Sequence, residues 1–262
     1  MLRIYQVDAF HHEVLRGNPA AVIPLDKWLD DDKLQAIAQE NNLSETAFFL
    51  PEQDGAMPLR WFTPNKEVRL CGHATLATAH VLFAEIGITA PSIRFQTLSG
   101  ILTVERLERG YRMDFPADFG QSIAAPAGLA EALGTDCSIT IEGKDDVMVV
   151  LPSEQEVAQL QPDFNALLNI PKVRGVIVSA PGEEVDFVSR CFFPKYAINE
   201  DPVTGSAHTL MTPYWAERLA KKKLSAWQIS TRKGILGCEL RNDRVLLEGQ
   251  ASTYLRGQIY LD

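Results

Sequence analysis

Residues 60–64 read RWFTP and residues 71–74 read CGHA, and this pair of segments recurs further along the chain. The second copy reads RCFFP at residues 190–194 and TGSA at residues 204–207. Each copy leads into a stretch with helical spacing. A Gly-small-residue turn that begins a helix presents unpaired backbone N–H groups and the positive end of the helix dipole, and together these bind anions. The repeat therefore predicts two related halves that hold one ligand between two helix starts.

Both halves of the chain show the same order of elements, which is strand, helix, strands, motif turn, long helix and antiparallel strands. Apolar spacing predicts the first long helix over residues 74–86, ended by Gly87, and the second over residues 207–220. The expected fold class is therefore α+β, with two pseudo-symmetric lobes, each a curled and mostly antiparallel sheet around a long central helix.

The boundary between the lobes is expected in residues 116–126, which are rich in Pro, Gly, Ala and polar residues. The N-terminal lobe then comprises residues 1–116 and the C-terminal lobe residues 117–262. The final strand, near residues 255–262, is expected to pack back on the first lobe. Since ligand sites often lie between lobes, the sequence predicts an active site in the cleft between the two.

Three further features concern helix ends. Residues 29–41 have helical spacing with acidic residues at their start, which suits the helix dipole. Ser153 with Glu156 three residues later is a capping-box pattern and predicts a helix start. The lysines at residues 221–223 follow the second long helix, where they are expected to complement the negative end of its dipole.

The composition is that of an acidic globular protein. The 262 residues are 46% hydrophobic and 23% charged, with a net charge of −9. This charge argues against nucleic acid or an anionic membrane surface as a partner, but a local pair of helix starts can still bind a small anionic substrate. No apolar run reaches the roughly 18 residues that a membrane span needs, and the first ten residues alternate like a strand. A cytoplasmic location is expected.

The four cysteines fit neither a disulfide framework nor a CxxC motif, which indicates a reducing compartment. No cluster of His, Cys, Asp and Glu has the spacing of metal ligands, so the sequence predicts no metal site.

Glu45 and His73 are the first candidates for chemistry. Glu45 precedes the apolar residues 47–50, and a carboxyl group at the mouth of a buried strand loses part of its hydration, which makes it a usable acid or base near neutral pH. From this context alone, a cap or turn role is the stronger interpretation of Glu45. His73 lies in the first motif turn, where a helix start disfavours protonated imidazole, so that a neutral ring can donate a hydrogen bond or relay a proton.

Asp201 and Ser206 are the candidates of the second half. Pro202 restricts the backbone of Asp201 to extended conformations and so fixes the direction of its carboxylate, which could orient His73 or bind a substrate group. A loop acid near a helix start is an equal alternative. Ser206 could cap the second helix, bind a substrate carboxylate, or do both.

Cys71 comes directly before Gly72 at a helix start, a position that can lower a thiol pKa. The matching position in the second copy is Thr204, whose hydroxyl is a far weaker acid. A symmetric two-thiol mechanism is therefore excluded, and a small buried residue is the simpler interpretation of Cys71.

Together, several segments of the chain resemble a known family, the phenazine-biosynthesis PhzF-like proteins, which share the diaminopimelate epimerase fold. The resemblance spans essentially the whole chain and is carried by GNPAAV at residues 17–22, NNLSETAF at 41–48, FTP at 62–64, CGHAT at 71–75 and EDPVTGSA at 200–207.

The resemblance implies an isomerase without a cofactor, and the family is often dimeric, so a homodimer is expected. It assigns Glu45 as the acid/base that moves a proton on the substrate. By the same resemblance, three further residues are expected to bind substrate or assist the transfer, namely His73, Asp201 and Ser206. The backbone of their helix starts is expected to contribute at Gly72, Ala74 and Gly205. The substrate is expected to be a small carboxylate-bearing, cyclic or aromatic-like molecule.

Two alternatives stay open beside this interpretation. The first is an amino-acid racemase or epimerase that uses Cys71 with a different partner. The second is a non-catalytic protein that binds a small molecule.

Overall fold

A computed structural model describes residues 1–171 and 173–261 of the chain. The described chain mixes helices and strands, which confirms the α+β prediction. It forms two compact units, one of Met1–Asp114 with Glu248–Asp262 and one of Phe115–Leu247. The last strand, Ala251–Ile259, pairs with the first strand of the chain, and Asp262, the last residue of the predicted final strand, lies outside the described residues.

The first unit contains two helices, of which the second continues as a π-helical segment, Val81–Ile86. Its helices are α1 (Asp31–Asn41) and α2 (Gly72–His80). Its strands are β1 (Leu2–Ala9), β2 (Asn18–Pro24), β3 (Glu45–Phe49), β4 (Met57–Phe62), β5 (Glu67–Val68), β6 (Ser92–Thr97), β7 (Gly100–Arg106), β8 (Tyr111–Pro116), which reaches the boundary, and β18 (Ala251–Ile259).

The described part of the second unit contains three short α-helices, one long α-helix and a 3₁₀ turn at Pro194–Tyr196. The helices are α3 (Leu129–Leu133), α4 (Glu154–Gln159), α5 (Phe164–Leu168) and α6 (Gly205–Arg218). The strands are β9 (Gln121–Ile123), β10 (Thr140–Glu142), β11 (Val147–Val150), β12 (Val176–Pro181), β13 (Phe187–Phe193), β14 (Ile198–Asp201), β15 (Lys223–Gln228), β16 (Gly234–Arg241) and β17 (Arg244–Gly249).

The two units have the same internal strand connections. In the first unit β2 pairs in parallel with β3 and β4 in parallel with β6, and in the second β11 pairs in parallel with β12 and β13 in parallel with β15. The other pairings described within each unit are antiparallel. In each unit the second parallel pair is connected through the long helix. The internal duplication inferred from the sequence is thus a duplication of strand topology.

Both long helices begin inside the motif turn, earlier than apolar spacing alone predicts. Helix α2 begins at Gly72 rather than at residue 74, and α6 begins at Gly205 rather than at residue 207. Helix α1 begins two residues later than predicted, at Asp31. Apolar spacing misplaces the starts of α2 and α6 because a motif turn and its helix share small residues that carry no periodic signal.

The second long helix ends two residues earlier than predicted and does not lead directly into the lysines at residues 221–223. Helix α6 ends at Arg218, and Ala220 adopts a left-handed φ of 52°, which turns the chain. Lys223 consequently begins strand β15, and Lys221 forms an ion pair with Asp186. The prediction that the lysines complement the negative end of the helix dipole is therefore wrong for Lys223. The predicted cap of α4 is confirmed, because Ser153 accepts a hydrogen bond from the Glu156 backbone N–H.

The arginine of each repeat forms the same side-chain cluster. Arg60 makes two hydrogen bonds to Glu67, of 2.7 and 2.8 Å, and its guanidinium lies 5.1 Å from the ring of Phe62. Arg190 makes two to Glu200, of 2.8 and 2.9 Å, and lies 5.1 Å from the corresponding ring of Phe192. A forked pair of this kind fixes geometry, so the Arg-x-Phe pattern is explained structurally.

The long helices are buried on nearly all sides, which their small residues allow. In α2 every residue from His73 to Ala79 is buried, and two threonines bond back to the helix, Thr75 to the Cys71 carbonyl and Thr78 to the Ala74 carbonyl. These bonds satisfy hydroxyl groups that have no access to water. Among the described residues, no helix combines the length and apolar character that crossing a membrane requires.

In α6, Pro213 lies inside the helix and has no N–H to donate to the carbonyl of Thr209. That carbonyl instead accepts from the Asp118 N–H at 3.0 Å. The second unit thus satisfies a backbone carbonyl that the proline leaves without its helical partner.

Gly17 provides a test of the loop that leads into β2. Its φ is +63°, and a Cβ there would lie 2.2 Å from the Ala9 carbonyl oxygen. We expect Gly17→Ala to lower the free energy of unfolding by about 2–5 kcal/mol, because it combines left-handed strain with a backbone clash. Gly134→Ala is the matched control, since Gly134 has a φ of +68° and nothing within 4 Å of the added Cβ. We expect it to cost only about 1–2 kcal/mol. If urea unfolding showed that Gly17→Ala and Gly134→Ala lower the free energy of unfolding equally, the predicted clash at residue 17 would be wrong.

Candidate active site

Strand register places Asn18 and Glu45 on one face of the sheet. Glu45 is the first residue of β3 and is the register partner of Ala20 in the parallel pair of β2 and β3. Asn18, the first residue of β2, lies two residues before Ala20 and shares its face, because side chains alternate along a strand. The opposite face carries Ile23 and Phe48, which pack against α1. Asn18 and Glu45 thus face away from α1.

The first turn of α2 contributes His73 to the same place. Its Nε2 lies 3.1 Å from Oε2 of Glu45. Its Nδ1 lies 3.3 Å from the side-chain nitrogen of Asn18 and 3.5 Å from Sγ of Cys71. The side chain of His73 is 5% exposed and that of Glu45 is 13% exposed. The structure therefore brings together a carboxylate, an imidazole, a thiol and an amide in the first unit.

Burial keeps the imidazole of His73 neutral. It lowers the pKa of His73 to about 3, because the charged form loses its hydration. The contact with Glu45 has hydrogen-bond distance but lacks the alignment of a straight N–H···O bond, and Nε2 has no better-aligned partner among the described residues.

Glu45, Cys71 and His73 also carry donor atoms of the kind that bind metals, within 4.8 Å of one another. Sequence spacing missed this group because Glu45 comes from a different strand. The imidazole, however, directs Nδ1 toward Cys71 and Nε2 toward Glu45. The shortest contacts of the group therefore use both ring nitrogens, although one donor atom from each residue lies within 4.8 Å of the other two. The arrangement is a chain of contacts through the ring, and we assign no metal to it.

In the second unit the motif turn forms a different polar cluster. Thr204 donates through its hydroxyl to the Asp201 carboxylate at 2.5 Å. The side chain of Gln228 accepts from the Thr204 N–H at 2.8 Å and donates to the Asp201 carbonyl at 2.7 Å. All three residues are buried. The carboxylate of Asp201 is therefore held by its own turn, while Pro202 fixes the backbone.

Ser206 does not cap α6, because the cap position is Thr204 and Ser206 lies inside the first turn. Its hydroxyl instead accepts from the guanidinium of Arg174 at 3.3 Å. Arg174 also makes two hydrogen bonds to Asp146, of 2.9 and 2.5 Å. The capping alternative for Ser206 is therefore wrong, and its substrate-binding role stays a prediction.

The predicted residues fall into two groups. Glu45, Gly72, His73 and Ala74 lie in the first unit, and Asp201, Gly205 and Ser206 lie in the second. The expectation that Asp201 orients His73 stays a prediction. Sequence reasoning missed Asn18, Arg174 and Gln228. Each of these three residues contacts a predicted site residue. The available signal for Asn18 was a polar residue directly before an apolar strand, in the turn at residues 17–19.

Comparison with known proteins gives a consistent result over the whole chain. The family model described as phenazine biosynthesis-like protein matches residues 7–257. An uncharacterized isomerase of Pseudomonas aeruginosa is 53% identical over 260 residues, which cover 99% of each chain.

Solved structures agree with the sequence comparison. The crystal structure of a phenazine biosynthesis PhzF family protein from Enterococcus faecalis is 48% identical and matches with a TM-score of 0.96 over 99% of each chain. A probable proline racemase from Agrobacterium radiobacter is 10% identical and matches with a TM-score of 0.70 over all of this chain and 94% of its own. This last similarity concerns the fold alone and confirms the expected diaminopimelate epimerase-like class.

His208 makes the stability of the protein depend on pH. It is fully buried, its Nδ1 lies 2.8 Å from the Thr204 carbonyl, and burial lowers its pKa to about 4. Below about pH 6.5 the unfolded chain binds a proton that the folded chain does not, so the free energy of unfolding falls as the pH is lowered toward the folded pKa.

His208→Asn removes this titration and keeps a donor for the Thr204 carbonyl. Between about pH 7 and about pH 5, we expect the wild type to lose about 1–2 kcal/mol more than the variant in urea unfolding. Other titrating groups, His73 included, are present in both proteins and cancel in the difference. Equal acid sensitivity would show that His208 titrates alike in the folded and the unfolded chain.

Proposed function

Because the chain belongs to the phenazine biosynthesis-like family, we propose that it is a cofactor-independent isomerase with Glu45 as its acid/base. The observation that carries the proposal is the contact of the largely buried Glu45 carboxyl group with the neutral imidazole of His73 at 3.1 Å. The relative from Pseudomonas aeruginosa is named an uncharacterized isomerase, which supports the reaction class.

The proposed reaction moves one proton within one molecule. The carboxylate of Glu45 removes a proton from a carbon next to a conjugated or carboxyl-bearing group, and the electron pair delocalises into that group. The protonated Glu45 then returns the proton to a different atom of the same molecule. No electrons are gained or lost overall, and the carboxylate is restored.

The start of α2 supplies the electrostatic part of the proposal. Its first residues, Gly72, His73 and Ala74, present backbone N–H groups that no helical carbonyl satisfies. Such groups stabilise an anion without reorganising, so they suit both a substrate carboxylate and the charge that develops on proton removal. We propose a small carboxylate-bearing, cyclic or aromatic-like substrate. Asp201, Gly205 and Ser206 stay predicted substrate-binding residues.

Glu45→Gln tests the proposal. A panel of cyclic and aromatic carboxylates is incubated with the protein in deuterated water, and deuterium uptake or isomer formation is followed by NMR and mass spectrometry. For a substrate found with the wild type, we expect Glu45→Gln to lower turnover at least about 100-fold, because the amide cannot accept the proton. Glu40→Gln is the matched control, an exposed glutamate of α1, and we expect it to keep full activity.

Two outcomes would count against this mechanism. Full activity of Glu45→Gln on a verified substrate would remove Glu45 from the reaction. A carboxylate that binds, yet neither takes up deuterium nor isomerises, would support the non-catalytic binding protein instead.

One observation favours a second candidate, an amino-acid racemase or epimerase that uses Cys71. The thiol lies 3.5 Å from Nδ1 of His73, a distance at which an imidazole can accept its proton. The thiol is buried, however, and the matching position of the repeat is Thr204, so a symmetric pair of thiols is absent.

Cys71→Ser separates the two candidates. If Glu45 is the acid/base, we expect turnover to change less than about 10-fold, because serine keeps a hydroxyl beside Nδ1. If Cys71 is the acid/base, the loss is expected to exceed about 100-fold, because a hydroxyl is a far weaker acid than a thiol. The measurement is the same deuterium exchange, with thermal unfolding to verify that both proteins are folded.

A further inference from the structure

Asn18 is buried completely and contacts the ring of His73 from the side opposite Glu45. The proposed reaction does not use Asn18. A buried amide beside a buried imidazole restricts which ring nitrogen carries the proton, because each ring nitrogen must match the donor or acceptor that faces it.

We propose that Asn18 is a positioning residue that holds His73 in the Nε2–H tautomer, so that the ring presents a hydrogen-bond donor to Glu45. This inference rests on the proposed function for its catalytic meaning, because the donor acts on the proposed acid/base.

The Glu45 side of the ring gives the first reason. An ionised carboxylate only accepts hydrogen bonds. With Glu45 ionised, as the base of the proposed reaction must be, an unprotonated Nε2 at 3.1 Å from Oε2 would place two lone pairs against each other, so the proton belongs to Nε2. Because the imidazole is neutral, the proton on Nε2 leaves Nδ1 as an acceptor.

The Asn18 side gives the second reason. Its side-chain NH₂ faces Nδ1 at 3.3 Å and has protons to donate, and the thiol of Cys71 at 3.5 Å is a further, weaker donor. The alternative tautomer would place an Nδ1–H against that NH₂ group, which requires the Asn18 amide to turn over. Both sides of the ring thus favour the same tautomer.

The backbone around Asn18 keeps the amide in place. Asn18 pairs with Ala9 at the start of β2, and Gly17 before it adopts a left-handed turn that no other residue fits, because a Cβ would meet the Ala9 carbonyl. The backbone of Asn18 is therefore fixed by a strand end and a tight turn, and its side chain is fully buried, whereas Glu45 on the other side of the ring retains some exposure. A fully buried partner on Nδ1 and a partly exposed partner on Nε2 leave Asn18 as the more constrained of the two neighbours.

Nitrogen NMR of the histidine side chains tests the inference without any substrate. Long-range ¹⁵N–¹H correlation distinguishes the two tautomers, and the chain has only five histidines to assign. We expect His73 as Nε2–H, and a coupling across the hydrogen bond from the Asn18 NH₂ to Nδ1. His208 is the internal reference, because its Nδ1 faces the Thr204 carbonyl and it is expected as Nδ1–H.

Two variants test the role of Asn18 itself. Asn18→Ala removes the donor, and we expect a mixture of tautomers at His73 with no change at His208. Asn18→Asp places an acceptor against Nδ1, and we expect Nδ1–H or the doubly protonated ring. If neither variant folds, the coupling across the Asn18–His73 bond in the wild type decides the matter. An Nδ1–H pattern for wild-type His73, absence of the coupling, or an unchanged tautomer in both variants overturns the inference.

Deuterium exchange on a substrate found by the screen then separates the two proposals. We expect Asn18→Ala to lower turnover about 10–100-fold, as loss of a residue that orients a catalytic partner does. If His73 shows the expected tautomers but Glu45→Gln retains activity, the proposed function fails and the assignment of the tautomer stands. If Glu45→Gln is inactive but Asn18→Ala keeps full turnover despite a changed tautomer, the positioning role fails and the proposed function stands.

Discussion

The burial of the first turn of α2 against the face of β2 and β3 is the constraint on which the site depends. A buried polar group without a partner costs about 1–3 kcal/mol, so every polar side chain brought to this face needs a neighbour. His73 has three, Asn18, Cys71 and Glu45. The small residues of α2 allow the helix to approach the strands closely enough for these contacts. The same burial keeps the imidazole neutral, because the charged ring would lose its hydration.

Both units use one topology and the same forked arginine pairs, yet their helix starts carry different side chains. The first unit presents Cys71 and His73, and the second presents Thr204 and Ser206 at the matching positions. In the first unit, His73 of the helix start contacts Glu45 of a neighbouring strand. In the second unit, Thr204 of the helix start is hydrogen-bonded to the side chain of Gln228. The duplicated topology therefore supports unequal chemistry, which explains why a proton-transfer role is proposed for only one of the two helix starts.

Sequence reasoning located the motif turns and the candidate Glu45 without locating their contacts. It placed His73 at a helix start, and the structure agrees, with the start itself at Gly72. It missed Asn18, which lies 55 residues from His73 along the chain. It also missed the link between Glu45 and His73, because their proximity follows from the parallel pairing of β2 with β3 and the packing of α2, neither of which leaves a local signal.

The sequence by itself determined the α+β class, the duplication, the starts of the long helices to within two residues, and the chemical types available at them. These features are local, since hydrophobic periodicity, glycine turns and capping residues act within a few residues of one another. Only the tertiary structure decided which of these groups meet. Strand register set Asn18 and Glu45 on one face, and burial of α2 brought His73 between them. Register and helix packing depend on contacts between distant segments, so the partners of His73 could be read only from the folded chain.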